Sequence, residues 1–279
     1  MIVLGILIFI AFALTFLYIY FEQYLQSGIV YWSIPIVLII SVLIAIGLLL
    51  LFLGISLLFR PRNRSTTEPR KFYSLFTYQI AKLLQIFYKI EVVFENKELI
   101  PTDQKFVLIS NHQSNLDPIV LVASFKGYPL TYIMKDNIMK IPLIGRWLFA
   151  AGFFPLDRHN DRKALETIIQ GVKRLKNGYP IGVFPEGTRS KGPHVNEFRN
   201  GIFKLAQKSA APILVVCVDN FYKVKKRFLF RKTKVLIRIC ELIPYEEFCN
   251  LHTNEIGDHC KNIINANLLE ARSKYSWLN

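Results

Sequence analysis

Residues 105–125 read KFVLISNHQSNLDPIVLVASF, a short polar segment with an apolar segment on either side. The first apolar segment, 105–110, is short and β-branched, which predicts a buried strand. The second begins at Asp117-Pro118, where an acidic N-cap and a proline at the first helical position are typical of a helix start. The pattern therefore predicts a strand, a polar loop and a helix in succession.

The polar loop places a histidine five positions before the acid at the helix start. In this arrangement the Asp117 carboxylate can accept a hydrogen bond from one imidazole nitrogen of His112, while the other nitrogen faces a cleft. Such a histidine can act as a general base near neutral pH. A plainer interpretation also fits, in which Asp117 only caps a helix and His112 only fills a turn. This segment alone leaves both open.

Three further segments extend the pattern. Residues 181–190 read IGVFPEGTRS, an apolar strand that breaks at Pro185 into a loop with an acid, a glycine and an arginine. GFFPLDR (152–158) precedes it and APILVV (211–216) follows it. With NHQSNLD, these segments resemble the glycerolipid acyltransferase family, most closely the lysophosphatidic acid (1-acylglycerol-3-phosphate) acyltransferases. The resemblance covers roughly residues 71–243 and departs from the family at Val215, where a second proline is usual.

The resemblance implies transfer of an acyl chain from a thioester to an alcohol. His112 would be the base that removes the hydroxyl proton, and Asp117 would orient the imidazole and stabilise the imidazolium. The acceptor hydroxyl is itself the nucleophile in this chemistry, so no serine or cysteine nucleophile is required.

The resemblance also implies a site for the phosphate of the acceptor. A guanidinium suits a phosphate because it donates two parallel hydrogen bonds. Arg189 is the first candidate, although alone it would fit a surface ion pair equally well. Lys135, in MKDNIMKIPLIG (134–145), is the second, although alone it would read as a solvated lysine. The further substrate-binding candidates are Arg158, Glu186, Gly187 and Thr188.

Charge is distributed unevenly along the 279 residues, whose formal net charge is +15. Residues 1–59 contain no lysine or arginine and one acid, Glu22, so residues 60–279 carry a net +16. A basic domain behind an apolar leader predicts contact with an anionic membrane surface and anionic substrates. Nucleic acid is not expected as a partner, because no segment resembles a nucleic-acid-binding module.

The leader contains two long apolar runs, 1–21 and 34–59, each long enough to span about 30 Å of hydrocarbon. A cleaved signal peptide is not expected, because no basic segment precedes the first run. The connection 22–33 lacks positive charge, whereas five basic residues follow within 60–71. The positive-inside rule therefore predicts a transmembrane hairpin with both ends, and the catalytic domain, in the cytoplasm.

The remainder is predicted to be a linker (60–70) followed by an acyltransferase domain (71–279). The domain opens with an amphipathic helix at 71–90, which packs on the core, lies in the membrane interface, or does both. Seven strand-like runs then alternate with helical patterns such as 161–176 and 198–210. Alternation of this kind predicts an α/β fold, with a mostly parallel (mixed) sheet flanked by helices and the site at the carboxyl ends of its strands.

The C-terminal part offers weaker signals. The four cysteines form no C-x-x-C pair, so no disulfide framework is expected. Cys249, His252, His259 and Cys260 follow no zinc spacing, and a C-terminal amphipathic helix explains them without a metal. The tail from 254 to 279 is predicted to be helical. The basic segment 221–234, with its FLF triplet, is either a solvated connection between strands or a loop that dips into a membrane interface.

The expected function is acyl transfer from acyl-CoA or acyl carrier protein to 1-acylglycerol-3-phosphate, which yields phosphatidic acid, with no cofactor and no metal. One alternative is the same transfer to another lysophospholipid or to glycerol-3-phosphate. A second, from a different class, is a membrane-anchored lipid-binding protein without turnover. A binding protein needs no base, so an intact His112–Asp117 pair favours the enzyme.

Overall fold

The computed structural model describes residues 2–24, 33–56, 68, 71–102, 105–142, 144–156, 161–224 and 231–278. The chain divides into two compact units, Met1–Asn63 and Arg64–Asn279. The predicted linker at 60–70 lies outside the described residues except for Glu68, and so does the centre of the basic segment, 225–230.

The first unit is a pair of apolar helices, α1 (Ile2–Tyr24) and α2 (Ser33–Ser56). They run antiparallel, because Thr15 Oγ1 lies 3.4 Å from Ser41 Oγ while Tyr18 Oη lies 2.9 Å from Ser33 Oγ. Small residues at the contact let the two backbones approach closely. Among the described residues, Ser33–Phe52 is long and apolar enough to cross a membrane, and Gly5–Phe21 is a shorter apolar segment.

The second unit is built on one seven-stranded sheet in the order β1-β7-β6-β2-β5-β3-β4. Each strand lies at one of the predicted apolar runs. The strands are β1 (Ile90–Glu95), β2 (Val107–Ser110), β3 (Thr131–Lys135), β4 (Phe154–Leu156), β5 (Ile181–Val183), β6 (Ile213–Asp219) and β7 (Thr233–Ile243). All neighbouring pairs are parallel except β6 with β7. The prediction of an α/β fold with a mostly parallel sheet is confirmed.

Helices flank this sheet. In chain order they are α3 (Lys71–Phe87), α4 (Asp117–Ser124), α5 (Asp136–Met139), α6 (Ile144–Ala150), α7 (Asp161–Lys176), α8 (Lys204–Ser209), α9 (Tyr245–Phe248) and α10 (Thr253–Lys274). The helix predicted at 198–210 is shorter than expected, because a 3-10 turn at Asn200–Phe203 precedes α8.

The amphipathic helix α3 packs on the domain and also exposes apolar side chains. The Tyr73 ring lies 4.8 Å from the Trp147 ring of α6, and Trp147 Nε1 donates to Thr77 Oγ1 at 3.2 Å. Core packing, one of the predicted outcomes, is therefore present. The exposed apolar side chains of α3 are Phe72, Leu75, Ile86 and Phe87. Their contact with a membrane stays a prediction.

The core on one side of the sheet is formed by alternate residues of its central strands. Val107 and Ile109 of β2, with Val215 of β6, pack in one cluster with Ile256 and Ile264 of α10. Alternation turns the intervening residues to the opposite face, and both faces of these strands are buried.

The topology gathers three loops at one edge of the sheet. Strand β2 pairs in parallel with both β5 and β6, so the carboxyl ends of all three point the same way. The segments that follow these strands begin at residues 111, 184 and 220. Open α/β sheets place their binding sites at this edge.

Candidate active site

Asn111 anchors the first of these loops. The β2–β6 ladder ends at the pair Ser110–Val216. One step further, Asn111 Nδ2 donates to the Val218 carbonyl at 2.9 Å, and the Val218 N–H donates to Asn111 Oδ1 at 2.8 Å. The side-chain amide thus replaces the next backbone pairing, which lets the backbone leave the sheet while the loop stays fixed to β6.

The loop then brings His112 onto Asp117, as the sequence predicts. His112 Nδ1 lies 2.7 Å from Asp117 Oδ2. The same oxygen accepts the backbone N–H groups of Gln113 at 2.6 Å and Ser114 at 2.9 Å. The prediction that Asp117 is the N-cap is wrong in detail: the cap position is Leu116, and the Asp117 carboxylate turns back into the loop instead.

Burial separates the roles of the two groups. The Asp117 side chain is 0% exposed and the His112 side chain 17% exposed, so the imidazole is the member of the pair that solvent or a substrate can reach. Burial raises the pKa of the Asp117 carboxyl, and hydrogen bonds from His112, Ser114 and Gln113 oppose that rise. Because Nδ1 faces the carboxylate, Nε2 is the nitrogen positioned to accept a proton.

Aromatic rings support the imidazole from one side. His112 stacks on Phe184 with ring centroids 4.2 Å apart, and Phe184 stacks on Tyr132 at 5.1 Å. Gly182 of β5 leaves room for the Tyr132 ring, since a Cβ there would overlap with it. Burial, and to a smaller extent Asp117, raise the pKa of Tyr132 well above its usual value, so the stack is uncharged on its inner side.

Glu186 joins the second loop to the first. Its Oε1 accepts the His112 N–H at 2.6 Å and its Oε2 accepts the Asn196 N–H at 2.9 Å. The Ser190 N–H returns to the His112 carbonyl at 2.8 Å. Burial raises the pKa of the Glu186 carboxyl, and the two backbone donors oppose this. The predicted acceptor-pocket glutamate therefore joins the backbone at His112 to the backbone at Asn196.

The other predicted substrate-binding residues are found in or near the FPEGTRS loop, at the end of β3, or outside the described residues. Gly187 has φ of +67°, a turn conformation that favours glycine, and Thr188 is exposed. Arg189 is partly exposed, and its guanidinium makes no hydrogen bond or ion pair with any described residue. Lys135 is exposed at the carboxyl end of β3, which pairs in parallel with β5 and so ends at the same edge. Arg158 lies outside the described residues.

Sequence reasoning missed several residues that shape the site. Gln113 is 1% exposed and hydrogen-bonds to Asp219. Its position in the sequence, between His112 and Asp117, could have indicated that Gln113 belongs to the site. Phe184 precedes the proline of FPEGTRS, but no sequence pattern shows that it stacks on His112. Arg272 reaches Asp219 from α10, and no motif marks it.

A reachable imidazole is thus held by a buried carboxylate at the carboxyl edge of a mostly parallel sheet, near a partly exposed arginine. This arrangement is typical of α/β enzymes in which a histidine acts as a general base. The sequence profile of the family described as Acyltransferase matches residues 91–219, which include the base, the carboxylate and the FPEGTRS loop. Residues 91–219 of this chain are therefore similar to the acyltransferase family.

Relatives and a solved structure agree with this assignment. The 1-acyl-sn-glycerol-3-phosphate acyltransferase of Escherichia coli (strain K12) is 29% identical over 238 residues, which cover 84% of this chain and 92% of that protein. The enzyme of the same name from Borreliella burgdorferi is 29% identical over 131 residues, or 47% of this chain, and the chain spans 52% of its length. The crystal structure of the 1-acyl-sn-glycerophosphate (LPA) acyltransferase PlsC from Thermotoga maritima superposes with a TM-score of 0.63 at 26% identity. The superposed residues cover 80% of this chain and 90% of the Thermotoga maritima chain.

Proposed function

We propose that this protein transfers an acyl chain from a thioester donor, acyl-CoA or acyl carrier protein, to 1-acylglycerol-3-phosphate, which gives phosphatidic acid. The observation that carries the proposal is the 2.7 Å bond between His112 and the buried Asp117, within the segment that the acyltransferase profile matches. The names of the Escherichia coli and Thermotoga maritima relatives support the acceptor.

The chemistry follows from the imidazole geometry. His112 Nε2 takes the proton of the acceptor hydroxyl as the oxygen attacks the thioester carbonyl, and the carbon–oxygen bond forms. The tetrahedral oxyanion then collapses, the carbon–sulfur bond breaks, and the imidazolium proton goes to the leaving thiolate. During these steps the Asp117 carboxylate stabilises the charge on the imidazolium. The reaction uses one base twice and needs no nucleophile from the protein.

The acceptor phosphate is assigned to two cations at the same edge, Arg189 and Lys135. Arg189 follows the turn at Gly187, and its guanidinium is not engaged by the described residues. A guanidinium in this state can donate two parallel bonds to a phosphate. Lys135 is proposed to add a second positive charge from the neighbouring parallel strand.

The direct test is an acyl-transfer assay on the purified full chain, with a panel of acceptors and both donor types. We expect 1-acylglycerol-3-phosphate to be the best acceptor. A preference for a lysophospholipid without a terminal phosphate, or for glycerol-3-phosphate, would move the protein to the alternative acceptor class. If the protein bound lyso-lipid tightly but transferred no acyl chain from either donor, it would be a lipid-binding protein.

Arg189→Ala is expected to weaken acceptor binding and to leave donor binding nearly unchanged. A lost charge-assisted bond in a partly desolvated site is worth on the order of 1.5–3 kcal/mol, roughly ten- to a hundredfold in acceptor affinity. Arg189→Lys should recover only part of this, because an ammonium cannot make the paired bonds. The measurement is the acceptor KM at saturating donor, and then the donor KM at saturating acceptor.

The matched control for this prediction is Arg162→Ala, which removes a 90% exposed arginine on α7. It should behave as the wild type with every acceptor. If Arg189→Ala instead weakened acceptors with and without a terminal phosphate equally, the arginine would have a structural role and the phosphate site would lie elsewhere.

We further propose that the apolar helices anchor the protein as a transmembrane hairpin with the catalytic domain in the cytoplasm. The proposal rests on the apolar segment Ser33–Phe52 and on the basic residues that follow position 59. A cysteine placed at Ser27 should react with an impermeant thiol reagent in intact cells, and one at Ser65 should not. The background needs Cys240 and Cys249 replaced by serine, since the other two cysteines are buried. Labelling at position 65 alone would reverse the orientation.

A further inference from the structure

Three polar side chains connect the catalytic loop to the C-terminal helix. Gln113 Nε2 donates to Asp219 Oδ1 at 2.9 Å, and Arg272 Nε donates to Asp219 Oδ2 at 2.7 Å. At the other end of the connection, the Gln113 N–H donates to Asp117 Oδ2 at 2.6 Å. Three hydrogen bonds, linked through the side chain and backbone of Gln113, therefore connect Arg272 on α10 to the Asp117 carboxylate that binds His112.

Every member of this connection is held in place. Gln113 is 1% exposed, and its Oε1 accepts the Phe221 N–H at 3.1 Å, so both ends of its amide are used. The Asp219 side chain is also 1% exposed, and its Oδ1 accepts the Asn220 N–H at 2.7 Å as well. A buried carboxylate is stable only with a charged or hydrogen-bonding partner, and the Arg272 guanidinium supplies the charge.

The same arginine braces the second loop. Its Nη2 donates to the Pro193 carbonyl at 2.6 Å. Pro193 lies between Ser190, whose N–H donates to the His112 carbonyl, and Asn196, whose N–H donates to Glu186. One guanidinium thus contacts both Asp219, which bonds to the catalytic loop through Gln113, and the segment between Ser190 and Asn196.

Attachment of α10 to the domain does not depend on this contact. The helix has its own apolar anchors, such as Ile264 and Leu268 in the core. It also has separate charged anchors, in which Lys274 Nζ lies 2.7 Å from Glu95 Oε1 and Arg238 Nη1 lies 3.2 Å from Glu270 Oε1. Arg272 differs from these residues because its bonds lead to the catalytic loops.

We infer that Arg272 is a positioning residue for acyl transfer, which acts through Asp219 and Gln113 on the His112–Asp117 pair and through Pro193 on the FPEGTRS loop. It lies 53 positions beyond residue 219, where the family match ends. The inference rests on the proposed function. It predicts a loss in the rate of the chemical step rather than in substrate binding, because Arg272 aligns the base and does not contact the substrate.

The test compares Arg272→Met with Lys274→Met in the purified full chain. The two substitutions remove charged anchors two positions apart on the same helix. Arg272→Met should lower kcat about ten- to a hundredfold with both KM values within a fewfold of wild type, since a small misplacement of a catalytic group has effects of that size. Lys274→Met should keep kcat within about twofold. Arg272→Lys should recover part of the loss, because its ammonium still pairs with Asp219.

A second variant, Asp219→Asn, tests the same connection in case Arg272→Met fails to fold. Asp219→Asn keeps an oxygen that can accept from Gln113 and Asn220 but removes the charge opposite Arg272, so it should lower kcat as Arg272→Met does. The double variant should be no slower than the slower single variant, because both act on one connection. Equal kcat for Arg272→Met and Lys274→Met at matched melting temperatures, with an active wild type, would overturn the inference and leave the proposed function intact. An inactive wild type would instead overturn the proposed function.

Discussion

His112→Ala is expected to abolish measurable turnover while the fold stays intact. The imidazole is the proposed base, and a positioned general base contributes typically about 10²–10⁴-fold to a rate. The loop should survive the change, because the bonds that hold residue 112 to Glu186 and Ser190 use its backbone N–H and carbonyl. The measurement is kcat with saturating donor and acceptor, together with the melting temperature.

The control for this prediction is His259→Ala, which removes an exposed histidine from α10. It should keep wild-type turnover. Lyso-lipid binding by His112→Ala should also persist, because the proposed phosphate contact comes from Arg189. Near-normal turnover by folded His112→Ala protein would remove His112 from the role of base and would favour a site centred on another group.

The strands could be predicted from sequence because their signal is local. Each lies in a run of mainly apolar residues, and Val107–Ser110 and Ile213–Asp219 are buried at every position. The helix at 198–210 was predicted too long for a local reason as well. Its apolar spacing is helical, but Gly201 lies within the first turn, and the structure forms a 3-10 turn there. Apolar periodicity alone does not distinguish these two geometries.

The residues of the candidate site also differ in how well the sequence predicts them. The His112–Asp117 pair is separated by five positions, so one loop brings it together and the motif was enough to find it. Gln113 and Asp219 are 106 positions apart, and they meet only because β2 and β6 are neighbours in the sheet. The orientation of Asp117 was also missed. A helix-start pattern predicts a capping carboxylate, whereas here the loop competes for the same oxygen with two backbone donors and an imidazole.

Asp117→Asn is expected to lower kcat by about 10³–10⁴-fold, which is the size of the loss when asparagine replaces the aspartate of a Ser-His-Asp triad. The three donors on Oδ2 would select the rotamer that presents the asparagine oxygen to them. Its amide nitrogen would then occupy the place of Oδ1, which is buried and has no hydrogen-bond partner among the described residues. An unsatisfied donor there costs on the order of 1–3 kcal/mol, so the variant should fold with a reduced melting temperature.

The substitution separates orientation from charge. The asparagine oxygen still accepts from His112 Nδ1, so the ring keeps its direction and Nε2 stays available to the hydroxyl. The negative charge that stabilises the imidazolium is lost. Both KM values should therefore stay close to wild type while kcat falls. The matched control is Asp136→Asn, which removes the charge of a partly exposed α5 residue that pairs with Lys140, and it should leave kcat unchanged. A fall in acceptor affinity with an unchanged kcat would show instead that Asp117 serves the acceptor pocket and not the base.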